Sequence, residues 1–440
     1  MMQADQSYDA IVIGGGVAGL AVATFVARQG KRVKLFEQSH TLGGRARTKT
    51  QDGFYFNIGP HALYRGGRGI EVLSELGVTV SGRVPAVSGA FSIKGHQKHT
   101  FPSGITSLLT TGLFGLSAKL EAMRWLAALA KLDTAPLMRV SLREWLSRHV
   151  THGEVQDFLI AAMRIATYTN APGLMSAGAA VRQLQLAFAK GVLYLDGGWQ
   201  AIVDGLRDAA LNAGVEIETG AKVELVTREA DGSARGVHTA DGRATYATHI
   251  IIAAGPKEAA SLVERGEQSQ LARWAGESVP VKAACLDVAL TRLPKPKSLY
   301  AFGIDRPLYL SVHSASARLA PAGGALIHVA KYLAPDEDES PAQIEGELED
   351  LLNLVQPGWR EEVAHRRFLP AMTVMNALAR ATQGGTEGRP GPQVDDAPGL
   401  YVVGDWVGAE GMLVDASLAS ARRAAEMIAR ERTFRMRAVV

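Results

Sequence analysis

The chain has 440 residues, of which 47% are hydrophobic and 21% charged, with a mean hydropathy of +0.03. At about 150 residues per domain this predicts two or three folding units and excludes disorder as the main state. Lys and Arg number 47 against 44 Asp and Glu, so no basic field points to nucleic acid. The single cysteine, Cys285, excludes a disulfide framework, a CxxC redox pair and a cysteine-rich zinc site. A reducing compartment and no metal are expected.

The first residues lack the basic stretch and small-residue cleavage site of a signal peptide, which predicts a cytoplasmic protein. Residues 10–27 carry no charge and only Thr24 as a polar side chain, long enough for a minimal membrane span. The three glycines Gly14, Gly15 and Gly16 argue against one, since each costs a helix about 1 kcal/mol relative to Ala. The better parse is a buried strand over 8–13, the turn Gly14-Gly15-Gly16-Val17-Ala18-Gly19, and a helix over 20–29. A second strand over 32–36 ends at Glu37, 18 residues after Gly19. This is G-x-G-x-x-G in the context that gives it meaning. Gly14 allows the tight turn, Gly16 lets backbone approach a pyrophosphate, and Gly19 lets helix and strand pack closely. The helix N-terminus offers free N–H groups and its positive dipole end to phosphates. Glu37 suits a ribose 2′-hydroxyl, favouring an adenosine without a 2′-phosphate. FAD and NAD both satisfy these features.

Next in the chain come Leu42-Gly43-Gly44-Arg45 and Asp52-Gly53-Phe54-Tyr55-Phe56-Asn57-Ile58-Gly59-Pro60-His61. Paired glycines clear side chains where a cofactor passes, and Arg45 offers a fixed fork of donors. With these segments the sequence resembles the flavin amine oxidase superfamily, which includes monoamine oxidases, protoporphyrinogen oxidases and phytoene desaturases. The resemblance implies a dissociable, non-covalent FAD lying along Gly14, Gly16, Val17, Ala18, Gly19, Glu37, Gln38, Gly43, Gly44, Arg45, Gly59 and Pro60.

Beyond residue 75 the pattern turns mostly helical. Over 108–132, apolar Leu113, Leu116, Leu120, Met123, Ala127 and Ala130 recur at helical spacing among Lys119, Glu121, Arg124 and Lys131. That predicts one amphipathic helix, packed on its own protein or, as the alternative, touching a membrane surface. A helix over 201–212 is followed by strands over 216–219 and 222–228, a hairpin of 235–239 with 244–246, and a buried strand over 250–253. The resemblance places Val223 against the adenine through its backbone. Strands are expected over 281–290 and 325–329, and the acidic run 336–339 leads into a helix carrying Leu348, Leu351, Leu352 and Val355. Residues 382–398 read as a loop. A last strand over 399–403 runs into Gly404-Asp405-Trp406, the turn Gly411-Met412-Leu413 and a helix over 415–430. By resemblance Asp405 accepts a ribityl hydroxyl, and the helix, with Met412 and Leu413 at its start, points at the flavin pyrimidine.

The expected fold is α/β, a Rossmann-like FAD-binding domain of residues 1–75, 190–264 and 385–440. An α+β substrate-binding domain with a helical insert, residues 76–189 and 265–384, is interleaved with it. Two side chains are candidates for proton work. Lys282 resembles the lysine that amine oxidases hold near flavin N5, and His61 follows the Gly59-Pro60 turn. The expected activity is dehydrogenation or desaturation of a mostly apolar small molecule by hydride transfer to FAD, with oxygen or a quinone as acceptor. Oxidation of a C–N bond is the alternative within the superfamily. From other classes stand a non-catalytic binding protein on the same scaffold, as in Rab GDP-dissociation inhibitors, and a nicotinamide-dependent reductase. Intact Gly14, Gly16, Gly19 and Glu37 speak against the former. The lack of a second G-x-G-x-x-G speaks against a nicotinamide-using disulfide reductase.

Overall fold

The runs of Val, Ile and Leu near both chain ends are too continuous for a sheet wet on one face, and they assemble into one covered, mostly parallel sheet. In the computed structural model, which describes residues 8–85 and 89–437, its order is Glu216–Thr219, Val33–Glu37, Tyr8–Ile13, Ala244–Ile252, Ala234–Thr239, Val223–Arg228. Leu400–Val402 lies parallel beside Ala244–Ile252. The leader-peptide reading rests on residues 1–7, which lie outside the described residues. The helix Val17–Ala27 has almost every residue buried. It packs between the helices Gln200–Asn212 and Leu413–Arg437, which explains a segment greasy enough to imitate a membrane span. Among the described residues, no helix is long and apolar enough to cross a membrane.

Several sequence expectations change here. The hairpin arm 244–246 and the buried strand 250–253 are a single strand, Ala244–Ile252. Its first half pairs antiparallel with Ala234–Thr239 and its second half parallel with Tyr8–Ile13. Thr245 and Thr248 interrupt the hydrophobic run without breaking the backbone ladder.

The second sheet is ordered Val363–Met375, Val281–Leu290, Ala325–Tyr332, Leu308–Val312, Tyr300–Gly303, Ala90–Lys94, Gln97–Thr100. Its last two strands form a hairpin inside the stretch expected to be helical. Strand periodicity sorts the side chains of Val281–Leu290 between two cores. Cys285 and Ala289 join a cluster of tyrosines, whereas Ala284, Leu286, Val288 and Leu290 are covered by Ile344, Leu348, Leu351 and Leu352 of the helix Pro341–Val355. The acidic run before that helix has a structural task. Lys331 is buried and its Nζ sits 2.6 Å from Glu339 and 3.1 Å from Glu347, because a buried ammonium needs carboxylate partners.

The single helix expected over 108–132 is two, Ile105–Thr110 and Leu116–Leu129, separated by a turn at Gly112. The face it buries also differs. Ala118, Ala122 and Leu129 are packed against the helical core, while Leu116 and Leu120 point to solvent. Small alanines allow the close helix contact that the larger leucines would block.

Candidate flavin site

The opening turn is held by backbone. Gly14 N–H donates to the Phe36 carbonyl at 2.8 Å, and Gly43 N–H donates to the Gly15 carbonyl at 2.8 Å. The two glycine loops thus meet main chain to main chain. The three motif glycines have different jobs. A Cβ at Gly19 would lie 1.9 Å from the Gly14 carbonyl oxygen, and one at Gly14, whose φ is +109°, would lie 2.8 Å from the Ala253 oxygen. Both are demanded by the fold. A Cβ at Gly16 would meet no protein atom within 4 Å, yet Gly16 borders a cavity of about 590 Å³. No side chain caps the helix that starts at Val17, so its first N–H groups remain for a ligand. An open cradle at a bare helix N-terminus fits a pyrophosphate.

Glu37 is buried at the end of its strand. Its carboxylate accepts from Gly15 N–H at 2.7 Å and from Ser39 N–H at 2.8 Å, and it also borders the cavity. Two backbone donors fix the carboxylate and leave it lone pairs for a hydroxyl.

At the other end the site is built from segments far apart in sequence. Asp405, fully buried, accepts from Arg45 Nη1 at 2.7 Å, from Asn376 Nδ2 at 2.8 Å and from Asn376 N–H at 3.2 Å. Arg45 Nη1 also donates to the Val374 carbonyl at 2.9 Å. This triangle ties the Gly43-Gly44-Arg45 turn to the long strand Val363–Met375 and to the C-terminal block. Trp406 donates its indole N–H to the Ala254 carbonyl at 2.9 Å and is itself buried, so it is a bolt between strands and no wall of a substrate cage.

The remaining expected residues divide clearly. Val17, Ala18, Gln38, Gly44, Pro60, His61, Val223, Gly404 and Leu413 line the same cavity as Gly14, Gly16, Glu37, Gly43, Arg45 and Asp405. Gly19 is a packing glycine. Gly59, with φ +73°, lies outside the lining, and a Cβ there would run into Met372. Met412 is buried in the helical core instead of facing the cavity. Lys282 requires a correction. It is exposed and absent from the lining, on the strand face opposite Cys285.

His61 sits at the cavity end, its ring centroid 4.8 Å from that of Trp199. Its Nδ1 donates to the Gly59 carbonyl at 3.0 Å, which leaves Nε2 as the acceptor nitrogen. Burial, opposed by that hydrogen bond, lowers its pKa to about 4, so the imidazole is neutral at pH 7. An ordinary histidine titrates near 6.5. Between 6.5 and 4 the unfolded chain therefore binds a proton that the folded chain refuses, and stability falls as the pH drops through that window. Thermal unfolding of the flavin-free protein should show this loss, and His61→Gln should reduce it, leaving the share of His313, which burial also holds well below the ordinary value. An equally steep loss in the variant would remove His61 as its source.

Sequence reasoning missed several residues. Trp199, Tyr168, Met372 and Asn376 also line the cavity, each brought in by a tertiary contact. Arg389, inside the expected loop, donates to the Gly411 carbonyl at 2.9 Å, and burial, opposed by Asp405, pulls its pKa down to about 10. Nothing local distinguishes these positions. Tyr168 and Leu413 carry left-handed backbone, φ +59° and +57°, and both border the cavity, as strained residues at sites often do.

One cluster behind His61 has metal-like composition. Cys285, Asp287 and His328 are fully buried with their ligand atoms within 4.8 Å of one another. Arg367 already donates to Asp287 from Nε at 3.0 Å and from Nη2, and His328 Nδ1 donates to it as well. Burial alone would raise the Asp287 carboxyl, but His328 and Arg367 outweigh it and hold it low. A guanidinium thus occupies the electrostatic role a metal would have, and the group is a hydrogen-bonded core.

Residues 17–429 match the model of the flavin containing amine oxidoreductase family. Among curated proteins, a carotenoid 3,4-desaturase of Haloarcula japonica is 28% identical over 279 residues, 56% of this chain. The match spans 55%, about half, of that relative's own length. Prolycopene isomerase of Arabidopsis thaliana is 24% identical, across 90% of this chain and 79% of the relative. Among solved structures, an oxidoreductase of Methanosarcina mazei superposes with a TM-score of 0.74 at 21% identity, covering 95% of this chain and 99% of that one, a likeness of fold. With the glycine cradle, the Glu37 carboxylate and the Arg45–Asp405–Asn376 triangle meeting around one cavity, the chain belongs to the flavin containing amine oxidoreductase family.

Proposed function

We propose that the protein binds FAD non-covalently and dehydrogenates a neutral, mostly apolar small molecule, passing the electrons to oxygen or a quinone. Bound FAD supplies the electron sink. In this reading Gly16 and the Val17 helix end receive the pyrophosphate, Glu37 the ribose, Val223 the adenine, and Asp405 and the Leu413 helix end the flavin side. Residues 1–75, 190–264 and 385–440 then form the FAD domain, and 76–189 with 265–384 the substrate domain.

The observation that favours a neutral substrate is the lining around His61. Tyr168, Trp199, Met372 and a neutral imidazole stand there, while of the three carboxylates that line the cavity Glu37 is held by backbone N–H groups, Asp405 is taken up by Arg45 and Asn376, and Glu258 stands beside Gly255 and Asn376. An ammonium placed among those side chains would lose its hydration with no carboxylate among Tyr168, Trp199, Met372 and His61 to balance it. The carotenoid names of the relatives point the same way. Apolar walls exclude water and hold a C–H bond in place, and His61 Nε2 is a hydrogen-bond acceptor for a substrate hydroxyl or a released proton.

The test is anaerobic addition of polyenes, unsaturated ring compounds and amines to the purified yellow protein, following flavin absorbance. Bleaching by an apolar unsaturated compound is expected, and bleaching by amines alone would replace this reading with C–N oxidation. A colourless protein that takes up no FAD would favour the non-catalytic scaffold. Flavin that stays with the chain after acid precipitation would overturn non-covalent binding.

A further inference from the structure

The four most exposed large hydrophobic side chains among the described residues are Leu116 (80%), Ile105 (68%), Leu120 (63%) and Leu109 (52%). All lie within sixteen residues of sequence on two consecutive helices. Ile105 and Leu109 are four residues apart and share a face, as do Leu116 and Leu120. Lys119 Nζ donates to the Leu109 carbonyl at 2.7 Å, which fastens the end of the first helix beside the first turn of the second. The four side chains therefore form one cluster. Folding does not need them outside, because Leu108, Leu113, Phe114, Ala118, Ala122 and Leu129 of the same segment already anchor both helices on the core. A cluster of this kind is uncommon on a protein that meets only water.

Charge identifies what covers it. Residues 94–131 contain Lys94, Lys98, Lys119, Arg124 and Lys131 against one carboxylate, Glu121, while the whole chain has an excess of three. Glu121 is turned inward, accepting from Thr151 N–H at 2.7 Å, from His152 N–H at 2.8 Å and from His152 Nδ1. Glu154, packed under the same helix, accepts from Gly115 N–H at 2.7 Å. Arg124 is exposed and continues the Leu116, Leu120 ladder by one more turn. Apolar tips flanked by cations, with the nearby carboxylates engaged by backbone, complement an anionic bilayer, where leucines enter the acyl boundary and cations meet headgroups.

We infer that the face formed by Ile105, Leu109, Leu116 and Leu120, with its surrounding Lys and Arg side chains, docks this protein peripherally on an anionic lipid bilayer. The inference is independent of the substrate proposed above, since it rests on a surface and not on the cavity. Purified protein should co-sediment with vesicles of equal parts phosphatidylglycerol and phosphatidylcholine, more weakly with phosphatidylcholine alone, and less at high salt. Leu116→Ser with Leu120→Ser should lower the bound fraction at least tenfold while flavin content and melting temperature stay unchanged. Arg124→Glu, which leaves the leucines in place, should weaken binding to the anionic vesicles specifically. Vesicle binding that ignores these substitutions, or no binding to either vesicle, would overturn the inference. So would a wild-type dimer that the double variant converts to monomer without any vesicle binding, which would assign the face to a second copy. Failure of the substrate reading would appear only in the flavin-bleaching experiment and would leave sedimentation untouched.

Discussion

Gly16→Val is expected to give a folded protein that purifies without flavin, and Gly19→Ala a protein that folds poorly whether or not flavin is supplied. The two positions belong to one motif, but their surroundings differ. At Gly16 the backbone is extended, φ −78° and ψ −179°, which valine adopts readily, and no protein atom lies within 4 Å of the added Cβ. The new side chain takes only the space at the helix N-terminus where a pyrophosphate would rest. A loss of flavin affinity of about a hundredfold or more, or about 2.7 kcal/mol, should accompany an unchanged melting temperature of the flavin-free protein. At Gly19 the added methyl would overlap the Gly14 carbonyl, and Gly14 cannot retreat while its N–H is bonded to Phe36. Overpacking of this kind costs about 1–3 kcal/mol or more. Flavin titration and thermal unfolding of both variants separate the effects. A Gly16→Val protein that keeps full flavin content would refute the placement of the phosphates.

The second large effect is expected at Asp287, far from that turn in sequence. Asp287→Ala removes the common acceptor of Arg367, His328 and Cys285 and should cost about 3–5 kcal/mol, the range for breaking a buried charge pair from one side. The consequence reaches the site through Arg367, whose Nη2 also donates to the Asn57 carbonyl. Asn57 in turn accepts from Trp199 N–H at 2.9 Å and from Thr48 Oγ1 at 2.7 Å through Oδ1, and it opens the turn that carries His61. Denaturant unfolding measures the loss. Asp287→Leu combined with Arg367→Met should recover part of it, because no uncompensated charge is then left inside. A single Asp287→Ala variant within about 1 kcal/mol of the parent would show that the cluster carries little stability.

How much of this could be read from the sequence depended on how local the cause was. The βαβ start was legible because most of its contacts lie within a short stretch: Gly19 packs on Gly14, Gly14 N–H bonds to Phe36 in the strand ending at Glu37, and Gly43 N–H bonds to Gly15. The helix Pro341–Val355 was legible from its apolar spacing, and its N-terminus carries a capping box, with Ser340 accepting from Gln343 N–H. The two-helix break at Gly112 was not, because Leu113, Leu116 and Leu120 keep a helical spacing across it. Nor was the buried face. Large side chains mark a core-facing stripe only when the core wants volume, and here the packing wants the small Ala118 and Ala122.

The sequence alone determined the cofactor-type turn, the succession of strands and helices near both ends, and the residues whose backbone must be glycine, since those follow from local sterics and hydrogen bonding. Only the tertiary structure decided which parity of Val281–Leu290 the helix Pro341–Val355 covers, left Lys282 exposed and outside the cavity lining, and brought Cys285 close to Gly59. It also joined Arg45 to Asp405 across 360 residues and left Leu116 and Leu120 in solvent. Strand and helix periods fix that a face exists. Which face is covered is set by whatever element packs on it, and that choice is made by the whole fold.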